Sequence, residues 1–152
     1  MAKGDLTVFE EFAADIGVEK YQLNTDTLKV ALISTAAGSV AASTASPTYS
    51  DFSGAEMASG NGYTTGGATI ASSSYTEASG VGTLDGNDVT WSQNASGFTT
   101  ARTAIVYTDT PASAASKAAI CKVDLGSSSV SLQDGDVTVS WNSSGILTIT
   151  VS

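Results

Sequence analysis

The chain has 152 residues, with 15 acidic against 6 basic side chains, a formal charge of −9, no histidine and one cysteine. A length of this order suits one domain, 1–152, that buries roughly 70% of its unfolded surface without metal or disulfide staples. The acidic balance argues against nucleic acid or an anionic membrane as partner, and the missing histidine removes the usual general base and the commonest metal ligand.

Periodicity first predicts a short amphipathic helix over 7–16. Val8, Phe9, Phe12, Ala13 and Ile16 fall on one face, and Glu10, Glu11 and Asp15 on the other. Thr7 and Glu10 have capping-box spacing, and Gly17 is placed to stop the helix. Such a helix either covers an open end of a sheet or docks on another subunit, with packing on its own chain favoured. The segment "MAKGDLTVFEEF" has no signal-peptide character, and no stretch approaches the ~18 to 20 apolar residues of a membrane span, so synthesis and folding in a cytoplasm are expected.

The period then changes to two. "TLKVALIS" (27–34) places Leu28, Val30 and Leu32 on one face of a strand. Residues 35–67 follow as a long, nearly aperiodic loop of Gly, Ser and Ala carrying Tyr49, Phe52, Met57 and Tyr63. Loops beyond ~12 to 15 residues are uncommon in compact domains and are usually functional or disordered. The aromatics imply that this one orders by packing, either on its own domain or on a neighbouring subunit. Its "GNGYTTGG" (60–67) lacks the spacing and the following helix of a nucleotide cradle and reads as a turn.

Shorter strands are expected at 68–75, 80–84 and 88–92, and a strand covered on both faces in "TARTAIVYTDT" (100–110). A second small-residue loop spans 110–118. "AAICKVDL" (118–125) alternates with Ala119, Cys121, Val123 and Leu125 on one face, which makes Cys121 a buried side chain and not a reactive thiol. Val137, Val139 and Trp141, then Leu147, Ile149 and Val151, form the last alternating sets. With 23 Ser, 20 Thr and Gly at most breaks, the fold class expected is mainly β: an antiparallel β-sandwich, jelly-roll-like or Ig-like, with a short N-terminal helix and a long loop.

One pattern occurs twice. "DGNDVTWSQNASGFTT" (85–100) and "DGDVTVSWNSSGILTIT" (134–150) share an acidic turn, a Trp-bearing run and an Asn/Ser-Gly turn. They read as two similar hairpins facing each other in the two sheets, with Trp91 and Trp141 as core or sheet-edge anchors. Asn94 and Asn142 open Asn-X-Ser triplets, which are turn residues here.

The chemistry is sparse. Triads that need histidine are impossible, and no Walker-type loop or G-x-S-x-G elbow occurs. Asp85, Asp88, Asp134 and Asp136 carry oxygen ligands suited to calcium, but without EF-hand spacing. Paired carboxylates for glycoside hydrolysis would need a groove lined by aromatics, which the sequence does not locate. No metal, no cofactor and no enzymatic activity are expected.

The segments "DTLKVALIS", "YTTGGATI", "GTLDGNDVTWSQNASGFTTARTAIVYTDT" and "CKVDLGSSSVSLQDGDVTVSWNSSGILTIT" together resemble small β-rich accessory virion proteins of tailed bacteriophages. The resemblance covers most of the chain from about residue 27. It implies a capsid decoration, or cement, protein on the head exterior that binds the major capsid protein shell, and by analogy a homo-oligomer, with a trimer as the guess. No contact residue carries over from it. From the pattern alone, the partner-contact residues expected are Phe9, Phe12, Tyr49, Phe52, Met57 and Tyr63. Two other classes stay open: a tail- or fibre-associated adhesion module binding cell-surface carbohydrate through Trp, Tyr and Asn, and a hydrolase working through Asp85, Asp88, Asp134 or Asp136.

Overall fold

The computed structural model describes residues 2–18, 20–109 and 117–151. Most of the expected loop at 110–118 therefore lies outside the described residues. In chain order the elements are β1 (Leu6–Val8), α1 (Phe12–Gly17), β2 (Leu28–Ile33), a 3₁₀ turn (Ala37–Ser39), α2 (Tyr49–Ser53), β3 (Ala68–Thr69), β4 (Ser74–Ala78) and β5 (Val81–Asp85). β6 (Val89–Trp91), β7 (Thr103–Thr108), β8 (Ala119–Asp124), β9 (Val137–Val139) and β10 (Leu147–Thr150) complete them. The protein is mainly β. Its antiparallel sheets have five strands in the order β1-β8-β7-β2-β3, three in the order β10-β5-β4, and two, β6-β9.

The five-stranded sheet is the middle of the molecule, and both of its faces are covered. Leu28, Val30 and Leu32 of β2, Ala104 and Val106 of β7, and Cys121 and Val123 of β8 pack with Leu84, Val89, Trp91, Val137, Val139 and Leu147 from the two smaller sheets. On the opposite face Ala31, Ile33, Ile105, Tyr107 and Ala119 pack against Phe9, Val40 and Phe52. β2, β7 and β8 are accordingly buried along almost their whole length, as the unbroken apolar run of β7 requires.

Several expectations change here. The helix predicted over 7–16 forms only at Phe12–Gly17, although it ends at Gly17 as expected. Leu6, Thr7 and Val8 instead pair with Val123, Lys122 and Cys121. Strand pairing extends the sheet by one edge strand and gives the β-branched Thr7 and Val8 the extended backbone they favour. Thr7 is thereby taken from its capping position, and α1 starts at Glu11 without a side-chain cap. The alternation expected in β8 is broken by a register shift opposite Val106 and Tyr107, which sends Ala119 to the face opposite Cys121.

The first part of the segment 35–67, with Val40, Tyr49 and Phe52, is the layer over the second face, its later part brings Met57 and Tyr63 into the cluster on the first, and its aromatics order it on its own chain. It holds the 3₁₀ turn, α2 with a capping box from Thr48 and Asp51, and bridges from Glu56 to Ile33 and from Thr48 to Ala118. Gly67 lets its end cross β2. A Cβ there would lie 1.8 Å from the carbonyl oxygen of Val30, and its φ of +71° favours glycine independently.

Candidate functional site

The core divides the six residues expected to meet a partner between the two faces of the five-stranded sheet, Phe12, Met57 and Tyr63 on one and Phe9, Phe52 and Tyr49 on the other. Phe9, Phe12, Met57 and Tyr63 are buried, and Phe52 is at its margin; only Tyr49 is half-buried. Phe9 stacks on Phe52 with centroids 5.5 Å apart and Tyr49 on Tyr107 at 4.7 Å, while Phe12 meets Tyr21 at a tilt with centroids 5.2 Å apart. Tyr63 meets Trp91 at 6.0 Å and the edge of Phe98 at 5.7 Å, while Met57 accepts a weak bond from Thr100 Oγ1 at 3.7 Å. These side chains fasten α1 and the 35–67 layer to the sheet.

A residue that pattern reading passed over organises that layer. Glu56 Oε1 accepts from the Tyr63 hydroxyl at 2.7 Å and from the Gly66 amide at 2.8 Å, and Oε2 accepts from the Tyr49 hydroxyl. Tyr63 Oη in turn accepts the Leu32 amide at 2.9 Å, and the Tyr107 hydroxyl donates to Gly66 O at 2.6 Å. Burial, reinforced by the Glu56 contact, pushes the Tyr49 phenol up to about 12; burial also raises Tyr63 and Tyr107. The available signal was an acid between tyrosines in a stretch whose one other charge, Asp51, caps α2.

Lys122 was also missed. It is 4% exposed, and its ammonium donates to Ala37 O at 2.7 Å and to Val40 O, tying the 3₁₀ turn to β8. Asp109 bridges Lys29 at 3.1 Å and Lys117 at 3.0 Å, with Lys117 also over the Tyr49 ring. Burial alone would raise the Asp109 carboxyl, but the hydrogen bonds from Lys117 and Lys29 outweigh it and hold it below the usual value. Asp15 accepts from Lys20 at 3.0 Å and from the Tyr21 hydroxyl at 3.3 Å. Cys121 is wholly buried, and burial pushes its thiol up to about 12.

The repeated pattern does not make two hairpins. β6 pairs with β9, so the two copies bind each other: Val89 lies opposite Val139, Thr90 opposite Thr138, and Trp91 opposite Val137. The copies are 48 residues apart, the Thr90 to Thr138 spacing, and match at Asp88/Asp136, Val89/Val137, Ser92/Ser140, Asn94/Asn142, Ser96/Ser144 and Gly97/Gly145. Asp88 Oδ1 accepts the Trp141 amide at 2.9 Å, and Asp136 Oδ1 accepts the Gln93 amide at 2.7 Å, equivalent bonds under the same shift.

Each copy then turns the same way. Asn94 Oδ1 accepts from Ser96 N and Asn94 O from Gly97 N, as Asn142 does from Ser144 and Gly145. These turns are corners and not hairpin loops, since β10 leaves β9 to pair with β5. Trp91 is a core anchor, whereas Trp141 lies half-buried beyond β9 with Nε1 donating to Asn87 O at 3.0 Å.

The acidic turns are thus backbone acceptors: Asp85 Oδ1 takes the Gly86 amide at 2.8 Å beside the Asp88 and Asp136 bonds above. Among the described residues no three His, Cys, Asp or Glu side chains gather in an arrangement able to hold a metal ion, and no helix is long and apolar enough to cross a membrane. Comparison with protein-family models, with curated proteins and with solved structures finds no match.

Proposed function

We propose that this chain is a virion structural protein that decorates and stabilises the outer surface of a tailed-phage capsid by binding major capsid protein subunits, and that its layers form a β-sandwich. The observation that supports this reading is the use made of charge. Glu56, Asp88, Asp136 and Lys122 hold the chain's own backbone or tyrosines, and Asp15 and Asp109 hold its own lysines. Charged groups committed to fixing loops suit a part that bears load in a shell.

The 35–67 segment exposes small side chains, among them Ser39, Ala41, Ser43, Ser46 and Ser50. Small side chains let a capsid subunit approach closely, and contact is then made by hydroxyl and backbone groups instead of the buried aromatics. Repetition around a shell makes individually modest contacts effective together. The test is to mix the purified protein with preformed shells of the phage that encodes it. Co-sedimentation in a fixed ratio, with shells that survive higher temperature, supports the reading; protein left in the supernatant at saturating concentration sinks it.

A cleft of about 300 Å³ lined by Ile16, Tyr21, Gln22, Leu23, Asn24 and Tyr75 favours the second reading, an adhesion module for cell-surface carbohydrate. Phenol rings beside amides are the groups such a ligand uses. A glycan array without a hit removes this alternative.

A further inference from the structure

The sheets of this molecule end on open edges of unequal length. β1, β3, β6 and β9 are three, two, three and three residues long and β10 is four, and shortness is one way an edge is kept from pairing with another chain. β4, with five residues, is the longest edge strand among the described residues.

Its open side can be assigned atom by atom. Ser79 and Gly80 both have positive φ, 55° and 81°, as in the two-residue type I′ turn whose flanking residues exchange both backbone bonds. Those flanking residues are Ala78 and Val81. Val151 N donates to Gly80 O at 2.9 Å, so the even-numbered positions of this hairpin arm address β10 and the odd-numbered ones address β4. Along β4, therefore, Ser74, Thr76 and Ala78 bond to β5, while the amides and carbonyls of Tyr75 and Glu77 point away from the sheet.

The usual guards of an edge are missing from it. β4 has no Lys, no Pro and no bulge. The carboxylate of Glu77 is turned back, its Oε1 accepting the Gly80 amide at 2.7 Å. Tyr75 is folded inward across β5, where a Cβ on Gly82 would lie 2.0 Å from its hydroxyl.

We propose that β4 is a homotypic interface, on which a second copy of this chain pairs antiparallel about a two-fold axis through Thr76. Tyr75 and Glu77 of the second copy then exchange both backbone hydrogen bonds, and each glutamate faces a tyrosine. Centring the axis on Glu77 would instead oppose two carboxylates, which is destabilising. The row Thr148, Thr83 and Thr76 across β10, β5 and β4 continues into the same row of the second copy. The chain already contains this geometry: Thr90 and Thr138 meet at the centre of the β6-β9 pair with hydroxyls 2.9 Å apart.

A junction of two five-residue strands falls below the roughly 1,200 Å² of a stable interface, so association is weak in dilute solution. Two chains of charge −9 also repel, and added salt strengthens the contact by screening.

The test uses the full chain and single cysteines. Thr76 and Ala78 are exposed, and the native Cys121 is wholly buried. On the proposed axis two Thr76→Cys side chains are a directly opposed pair with Cα atoms ~4.5 Å apart, within disulfide reach, whereas two Ala78→Cys side chains are roughly 14 Å apart. Mild oxidation of concentrated protein is expected to link Thr76→Cys into dimers about tenfold more than Ala78→Cys. In sedimentation, the wild-type chain should gain mass toward that of a dimer as concentration rises toward millimolar, and Thr76→Lys, which opposes two ammonium groups, should abolish the gain. Equal cross-linking of the two cysteine variants overturns the proposal. So does a wild-type chain that stays monomeric, or an oligomer that Thr76→Lys leaves intact.

Discussion

Thr90 and Thr138 face each other across β6 and β9 with their Oγ1 atoms 2.9 Å apart, at the centre of a local two-fold relation between two copies of one sequence pattern. On either side of that centre an aspartate holds the opposite strand's continuation, Asp88 at Trp141 and Asp136 at Gln93. The relation reaches further out. Gly145 is kept bare by the Leu84 carbonyl, 2.7 Å from where a Cβ would sit, and Gly97 by Leu132 at 2.9 Å. Leu84 and Leu132 are themselves 48 residues apart, and both are fully buried.

Equivalent bonds predict equivalent losses. Asp88→Ala and Asp136→Ala each remove one acceptor from an exposed amide, and each should cost at most about 1 kcal/mol in chemical denaturation. The informative result is their likeness: if one variant is neutral while the other costs several times as much, the two halves of the ribbon do not share the work.

Glu56→Ala should be far more damaging. It leaves the Tyr49 and Tyr63 hydroxyls and the Gly66 amide without their acceptor, and groups of this kind cost about 1–3 kcal/mol each when they stay buried and unmet. Glu56→Gln keeps one acceptor oxygen and should recover part of the loss. Limited proteolysis should then cut within 35–67 before the sheet unfolds, and a cleavage rate equal to that of the wild-type chain would show that the aromatic packing alone secures the layer.

β2 was readable in the sequence because burial writes a period of two, and the unbroken run in β7 announced a strand covered on both sides, but the single strand expected at 68–75 is two, β3 and β4, in different sheets. Register was not readable. The same alternation in "DVTW" and "DVTV" is satisfied by hairpins or by pairing with each other, and the choice rests on contacts distant in sequence, such as those of Gly145 with Leu84 and Gly97 with Leu132. The N-terminal segment misled for a related reason: Val8, Phe9 and Phe12 satisfy a helical stripe, yet Val8 serves the edge of β8 and Phe9 and Phe12 enter different clusters. The aromatics of 35–67 correctly implied packing, but a sequence does not show which surface they meet. Glu56 and Lys122 escaped notice because their hydrogen-bond partners are backbone atoms and hydroxyls, and those leave no spacing motif.

Lys122→Met tests the second of these. The ammonium is buried, and burial lowers its pKa, so removing the charge relieves a desolvation cost while leaving the Ala37 and Val40 carbonyls without their donor. Global stability should change by no more than about 1 kcal/mol in either direction. The local effect should be larger, with amide exchange across 37–42 rising about tenfold as the turn lifts from β8. Unchanged exchange there would mean that Val40 packing holds the turn by itself.

Stability should fall at both ends of the pH scale, for different groups. Asp109 has a folded-state pKa below its unfolded one, because its two lysine bonds outweigh burial; its contribution is present above the unfolded value near 4 and is lost as the pH falls through the folded value. Asp109→Asn should therefore flatten the acid limb, and, because its charge also helps raise Tyr107 and Tyr49, it should soften the alkaline limb slightly as well. Tyr49 runs the other way. Its folded-state pKa, near 12, lies above the unfolded value near 10, so its contribution is complete below pH 10 and disappears as the pH climbs to 12, and buried Tyr21, Tyr63 and Tyr107 shift in the same direction. Denaturation followed together with tyrosinate absorbance should show the two changing in one cooperative step. Phenolate appearing gradually, while the fold persists above pH 12, would mean that the Glu56 cluster opens to solvent without unfolding the sheet.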